Sequence, residues 1–501
     1  MITHRVKGGN GIARLCSVFV GLRSLQATET LAKGDHGMGS FGASAVAVVL
    51  AFALLGVLKG RKTGGKDFAL SGRRASAGGV SGILLGALVG GASTVGTAEM
   101  AYVYGFSAWW FTLGGGLGCL VAGIFFARPL RRAGIVTIPQ YLAQHYGTPT
   151  ALVALTGSSL GTFLSVLAQF LSGTALLRSV LPLGNGAAAA VLGLLIATFL
   201  FAGGLRSYSA VGSAKIVFLY LALALCGGTA FLQGATPEAL LRDLPAWPYF
   251  SLFGRGVSQD LGAAVSLVVG VLSTQIYLQA LFAARDEATA RRGALWSALL
   301  MPPLGMLALW IGLSLRQAGV DIPPAQALPH FLRTAFPPAL GGLLWGGIFI
   351  TVLGSAAGLV FGIATNLVQD LLIPWTSRDI AGKTLLWIHR SAVAGVLAAA
   401  ALLGLGLSQS LILDWSFVSM GLRGSGSFFP LMLAVLRPGS LPGAWALASG
   451  LGGLLTVLAV PFTPLAVEPL FAGLLISGLL ALGGTLRERR NPTHPESPSV
   501  S

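Results

Sequence analysis

Long stretches of the chain carry no charged residue: 107–127, 149–177, 216–237, 261–284, 293–315, 334–369 and 391–413. Each exceeds the ~20 apolar residues that take an α-helix across a bilayer. With the neighbouring apolar runs, they predict thirteen spans, at roughly 40–59, 79–105, 107–130, 149–178, 183–205, 207–233, 258–283, 293–315, 336–369, 389–408, 411–436, 441–461 and 466–485. The fold class that follows is an all-α polytopic membrane protein.

Composition agrees. Of 501 residues, 54% are hydrophobic and 10% charged, where a soluble domain carries about 25% charged residues. The net charge of +16 would fit a nucleic-acid partner, but the basic residues fall in short loops between spans. The loops after spans 1, 3, 5, 7, 9 and 11, together with the C-terminal segment, hold 20 Lys and Arg; the opposite loops hold 5. This asymmetry predicts an N-terminus outside and a C-terminus in the cytoplasm, with a prokaryotic inner membrane the expected setting. Residues 1–37 break the pattern, with five basic residues on the outer side; they read as a tail, or as a start placed too far upstream with Met38 the working one. Residues 486–501 end in NPTHPESPSVS, the composition of a disordered tail. Cys16, Cys119 and Cys226 are too scattered for a disulfide framework or a metal cluster.

Glycine is abundant, at 71 residues, and most of it suits close helix packing. The run VGGAST at 89–94 differs, because it sits mid-span beside hydroxyl side chains. A helix interrupted there would present free backbone groups to a ligand, as discontinuous helices do in secondary transporters.

Several motifs in order resemble the sodium/solute symporter family. They are KDFALSGR at 66–73, VGTA at 95–98, AYVYG at 101–105, FARPLRRAGIVTIP at 126–139 leading into Gln140-Tyr141 and His145, and GGLR at 203–206. Gln275, Tyr277 and Gln279, then AARDEATARRG at 283–293 and QALP at 326–329, continue the series. The match is dense from Lys66 to Asp370 and thinner to Arg437. It implies a five-plus-five inverted repeat of ten core helices, with the first and sixth broken and substrate and ions meeting near the midplane. The domains would be an extra helix at 38–60, repeats at 79–233 and 258–437, and two peripheral helices at 441–485.

The same resemblance implies a sodium ion as cofactor, held by the carbonyls of Gly86 and Val89 on core helix one and by hydroxyls on core helix eight. The helix-eight positions are Thr351, Gly354 and Ser355, so one hydroxyl of the family pattern is missing at Gly354. Core helix five departs further, with Gly212 and Lys215 where the family often has aspartate and glutamine. Lys215 lies ~14 Å deeper than Arg206 at the helical rise of 1.5 Å per residue. A lysine that deep must face the interior and find partners. Either it is a scaffold lysine bonded to nearby carbonyls, or its ammonium stands in for sodium beside Ser355 and Thr351. In the second case, coupling to protons, or to no ion, replaces sodium coupling.

Glu99 and Arg423 are the other charges within spans. Arg423 lies ~18 Å along its helix from Leu411 by the same rise, and its planar fork suits a carboxylate. Three readings stand: a Glu99–Arg423 outer gate, a substrate carboxylate on Arg423, or a structural pair. Ser93, Thr94, Gln275 and Tyr277 complete the candidate substrate-binding set. The expected activity is cation-coupled symport of a small polar solute, with an organic anion or amino acid favoured by Arg423. A sensor, a channel and an intramembrane enzyme are the rival classes. No clustered His, Asp and Glu residues favour the last.

Overall fold

The computed structural model describes residues 36–60, 75–133, 137–372, 382–407, 410–464 and 467–490. The tail at 1–35, the motif at 66–73 and the segment at 491–501 lie outside the described residues. Among the described residues there are helices and connecting turns but no strand beyond one isolated bridge, Ala75 to Ala284. The main helices are α1 (His36–Gly60), α2 (Ala77–Leu88), α3 (Thr97–Tyr104), α4 (Trp110–Val121), α5 (Thr148–Val180), α6 (Asn185–Leu232) and α7 (Val257–Ser273). They continue with α8 (Gln275–Phe282), α9 (Glu287–Gln317), α10 (Pro338–Thr365), α11 (Gly382–Gly406), α12 (Ile412–Ser425), α13 (Gly443–Ala459) and α14 (Pro469–Arg490). Every predicted span has helix beneath it.

The bundle has two faces. On one, Arg131 donates to the carbonyls of Ala284 and Arg285; on the other, the Tyr102 hydroxyl bonds to the carbonyl of Val320 beside Asp321. They are called the Arg131 face and the Asp321 face below. Leu194, Leu299 and Leu402 project outward with about 70% of their surface exposed (68%, 74% and 70%), the pattern of a lipid-facing rim. By contrast, α10 is buried almost throughout and forms the centre of the bundle.

Predicted span two is broken. Helix α2 ends at Leu88, Val89 is extended (φ −92°, ψ 112°), and the chain re-enters helix through a π turn at Ala92–Gly96 that leads into α3. At Gly105 (φ +61°) the chain reverses into the next span, a conformation that suits glycine. Span seven is broken in the same way: α7 and α8 meet at Thr274 (φ −100°, ψ 122°) with a bend of 49°.

Spans five and six differ from expectation. Residues 185–232 form one run of helical hydrogen bonding, where the sequence predicts two spans separated near Arg206. A straight helix of 48 residues would reach ~72 Å, more than twice the apolar thickness of a bilayer. Yet both ends of α6 emerge on the Asp321 face. Near its start, Leu192 packs on Gly173 in the last third of α5, whose end bonds to Gln326 and Arg333. Just past its end, Ala235 accepts from Trp310 near the end of α9. The run therefore contains both predicted spans.

The two breaks suit the inverted repeat that the motifs imply, in which α2–α3 would correspond to α7–α8, α4 to α9, α5 to α10, the first half of α6 to α11 and its second half to α12. The repeats run in opposite senses, because α2 starts on the Arg131 face and α7 on the Asp321 face.

Candidate functional site

The break at Val89 is held open by side chains. The Gly90 N–H donates to Ser93 Oγ at 3.0 Å, and Ser93 and Thr94 both return their hydroxyl hydrogens to the Gly90 carbonyl. The Gly91 N–H reaches across to Gln169 Oε1 on α5 at 2.8 Å. These bonds satisfy backbone groups that an interrupted helix would otherwise leave unpaired in an apolar setting. The glycines are needed for closeness: a Cβ on Gly91 would sit 2.4 Å from Ser172 Cβ, and one on Gly90 2.9 Å from Ser355 Oγ. Ser93 and Thr94, expected to bind substrate, use their hydroxyls on the break itself. Gln169 lies 78 positions along the chain from the glycine it holds.

The freed carbonyls at the end of α2 meet Lys215. Its Nζ donates to the Gly86 carbonyl at 3.2 Å and to Ser355 Oγ at 2.7 Å, while Ser355 Oγ donates to the Val89 carbonyl at 3.3 Å. Gly86 and Ser355, two of the four expected sodium ligands, thus meet the ammonium, and Val89, a third, is joined to it through Ser355. Thr351 turns elsewhere: its hydroxyl bonds back to the Gly347 carbonyl, one turn earlier on α10, at 2.8 Å. Lys215 is buried (3% exposed), and among the described residues no carboxylate pairs with it. The C-terminal end of a helix carries partial negative charge, so the end of α2 is a suitable seat for a cation.

Arg423 sits across the core on α12, with no exposed surface. One Nη donates to Ser165 Oγ at 2.6 Å and to the Gly161 carbonyl at 3.4 Å, and the other to Thr274 Oγ1 at 3.5 Å. Tyr277 lies against the guanidinium as well. Ser165, Gly161 and Thr274 were not foreseen as partners, because they come from α5 and the α7–α8 break. The expected Glu99–Arg423 gate is not formed. Glu99 instead accepts the Ile412 N–H, at the start of α12, with a 2.8 Å bond. The ion pairs of the Asp321 face centre on Arg255, which donates to buried Asp260 at 2.8 Å and to Asp414 at 2.7 Å. Gln275, expected at the substrate, accepts from the Ile138 N–H at 2.6 Å on the Arg131 side.

Two cavities lie outside this core. A cleft of about 390 Å³ on the Asp321 face is bordered by Tyr102, Tyr249, Arg316 and Asp321. A cavity of about 40 Å³ on the other side is lined by Ser158, Ser273, Gln275, Asn366 and Ser427. Ser93, Thr94 and Arg423 are fully buried.

The sequence pattern of the Sodium:solute symporter family matches residues 68–438. The chain belongs to this family. An uncharacterized symporter of Bacillus subtilis, YwcA, is 24% identical over 316 residues, covering 59% of this chain and 61% of its own. The urea-proton symporter DUR3 of rice is 22% identical over 490 residues, covering 86% of this chain and 66% of its own. A high-affinity choline transporter of Torpedo marmorata is 22% identical, covering 60% and 55%. The chain thus spans a little under two thirds of the length of the curated relatives it matches. A Na+-coupled sialic acid symporter in a substrate-bound outward-open state superposes with a TM-score of 0.73 at 15% identity, covering 90% of this chain and 97% of its own. That likeness establishes the shared family fold.

Proposed function

We infer that this member of the family is a secondary active transporter for a small solute that carries its coupling cation as a side chain, the ammonium of Lys215. The reading rests on one observation: Lys215 Nζ donates to both Gly86 O and Ser355 Oγ, the oxygens at which the family resemblance expects sodium. A sodium ion among the same oxygens would lie about 3 Å from the ammonium. At an effective dielectric of about 20, two like charges at that distance repel by ~5 kcal/mol. The oxygens therefore suit sodium only when the lysine is neutral or displaced.

A protonated Lys215 ties α2, α6 and α10 together. Loss of the proton from Nζ removes the charge from its bonds to Gly86 O and Ser355 Oγ, weakens both, and frees α2 to shift against α10. The solute gradient and the proton gradient are then coupled through one atom. The name of the rice relative, a urea-proton symporter, supports a proton as the coupling species. Because the Nη groups of Arg423 are engaged by neighbours, the neutral lining of Ser158, Ser273, Gln275 and Ser427 fits a small neutral polar solute better than a carboxylate. The surplus of basic loops on the Arg131 face orients that face toward the cytoplasm.

The test is thermal unfolding of the purified protein, wild type and Lys215→Ala, in sodium against potassium. A ligand that binds only the folded state raises its stability by RT ln(1 + [L]/Kd). Wild type is expected to show no sodium-specific shift and Lys215→Ala to gain one. Sodium-specific stabilisation of wild type that disappears in Ser355→Ala would restore sodium coupling. If Lys215→Ala responds to neither ion, the lysine is scaffold.

A further inference from the structure

Two cations are enclosed by the membrane core, and the inverted repeat relates them. Lys215, on the fifth helix of the first repeat, bonds to the broken first helix of its own repeat (Gly86) and to the third helix of the other (Ser355). Arg423, on the fifth helix of the second repeat, bonds to the break of its own first helix (Thr274) and to the third helix of the other (Gly161 and Ser165). The registers agree. Ser165 lies seventeen residues after Thr148, where α5 begins, and Ser355 seventeen after Pro338, where α10 begins. Gly161 and Thr351 each lie thirteen residues after the same starts. The breaks match too, with Val89 at φ −92°, ψ 112° and Thr274 at φ −100°, ψ 122°.

We propose that Arg423 is a tethered cation in the repeat-related copy of the Lys215 site, and that this copy binds a small alkali cation once the guanidinium is removed. The donor set carries the argument. Gly161 O, Ser165 Oγ and Thr274 Oγ1 are neutral oxygens. Ser419 Oγ adds a fourth, bonded to both Ser165 Oγ and the Gly161 carbonyl. Among the described residues no carboxylate pairs with Arg423. Several uncharged oxygens around one point are the ligands a hard cation takes. The last turn of α7 adds the negative end of a helix.

A guanidinium set to grip a carboxylate would instead keep two parallel N–H groups free on one edge. Here both Nη atoms are occupied, and only Nε lacks a partner. Gly161 also fits the tethered role, because a Cβ there would sit 2.6 Å from Arg423 Cγ and push the side chain off its oxygens.

The proposal extends the reading of Lys215 to a second position, and the variants at the two positions are scored separately, so either can fail alone. The full chain is purified as wild type, Arg423→Ala, Arg423→Lys and Arg423→Ala/Ser165→Ala. Each is melted in lithium, sodium, potassium or choline chloride at constant ionic strength, and with acetate, lactate or glycine added.

The expected result is a saturable rise of a few degrees in Arg423→Ala with lithium or sodium, absent in wild type and in Arg423→Lys, and lost with Ser165→Ala. Recovery of folded Arg423→Ala from membranes solubilised in sodium or lithium, but not in choline, would support the same conclusion. The proposal is overturned if Arg423→Ala folds without responding to any alkali cation, or is recovered in none of them. It is also overturned if a carboxylate solute stabilises wild type and that response disappears in Arg423→Ala, since Arg423 would then be the solute's anchor.

Discussion

Glu99 accepts the backbone N–H of Ile412 at 2.8 Å, so a carboxylate on α3 caps the start of α12. Arg423 lies eleven residues further along the same helix, ~16 Å away at the helical rise. The two charges that sequence alone invites one to pair are thus held at opposite ends of one helix, each satisfied by other groups. Removing the cap in Glu99→Ala should cost about 1–2 kcal/mol of stability, the usual worth of a helix N-cap. Glu99→Gln, which keeps an acceptor oxygen, should cost less. Unfolding of Glu99→Ala, Arg423→Lys and the double variant checks the separation: the losses should add within about 0.5 kcal/mol, and a larger coupling would revive the gate.

Gly354 is the place where the family pattern has a hydroxyl and this chain has none. It is buried on α10, and a Cβ added there meets no atom of a described residue within 4 Å. Gly354→Ser should therefore fold normally. In the wild-type background it should leave the protein indifferent to sodium. In Lys215→Ala it adds a ligand to a site that wants five or six oxygens, and the sodium concentration at half-maximal stabilisation should fall several-fold. An unchanged midpoint would mean that Gly354 does not face the ammonium's position.

Outside the membrane core, Asp286 caps α9, and its carboxylate accepts the Thr289 N–H at 2.7 Å. That bond, followed by the Thr289 hydroxyl and the charge of Arg285, lowers its pKa below the ordinary carboxylate value. A lowered folded-state value means that the stabilisation is complete above the unfolded-state pKa and is lost as pH falls through the folded one. Melting of wild type against Asp286→Asn should accordingly show a gap at neutral pH that closes in acid. A gap independent of pH would assign the effect to helix packing.

The all-helical, membrane-spanning character, the basic-loop asymmetry and the break at 89–94 were legible in the chain because they are local. Charge-free length, composition and a Gly-Gly step each act over a few turns of helix. The depth of Lys215 was legible too, by counting residues from Arg206. What counting could not supply was direction and partner. Ser355 lies 140 positions from Lys215, and Ser165 lies 258 from Arg423. A helix offers several faces at any depth, and only packing selects the one that turns inward. The tertiary structure alone decided that Thr351 bonds to its own helix while Ser355 turns to the ammonium, that Glu99 caps a helix, and that both ends of α6 meet the Asp321 face. It also set Lys215 and Arg423 in matching places, a relation that inversion of the repeat hides from any reading along the chain.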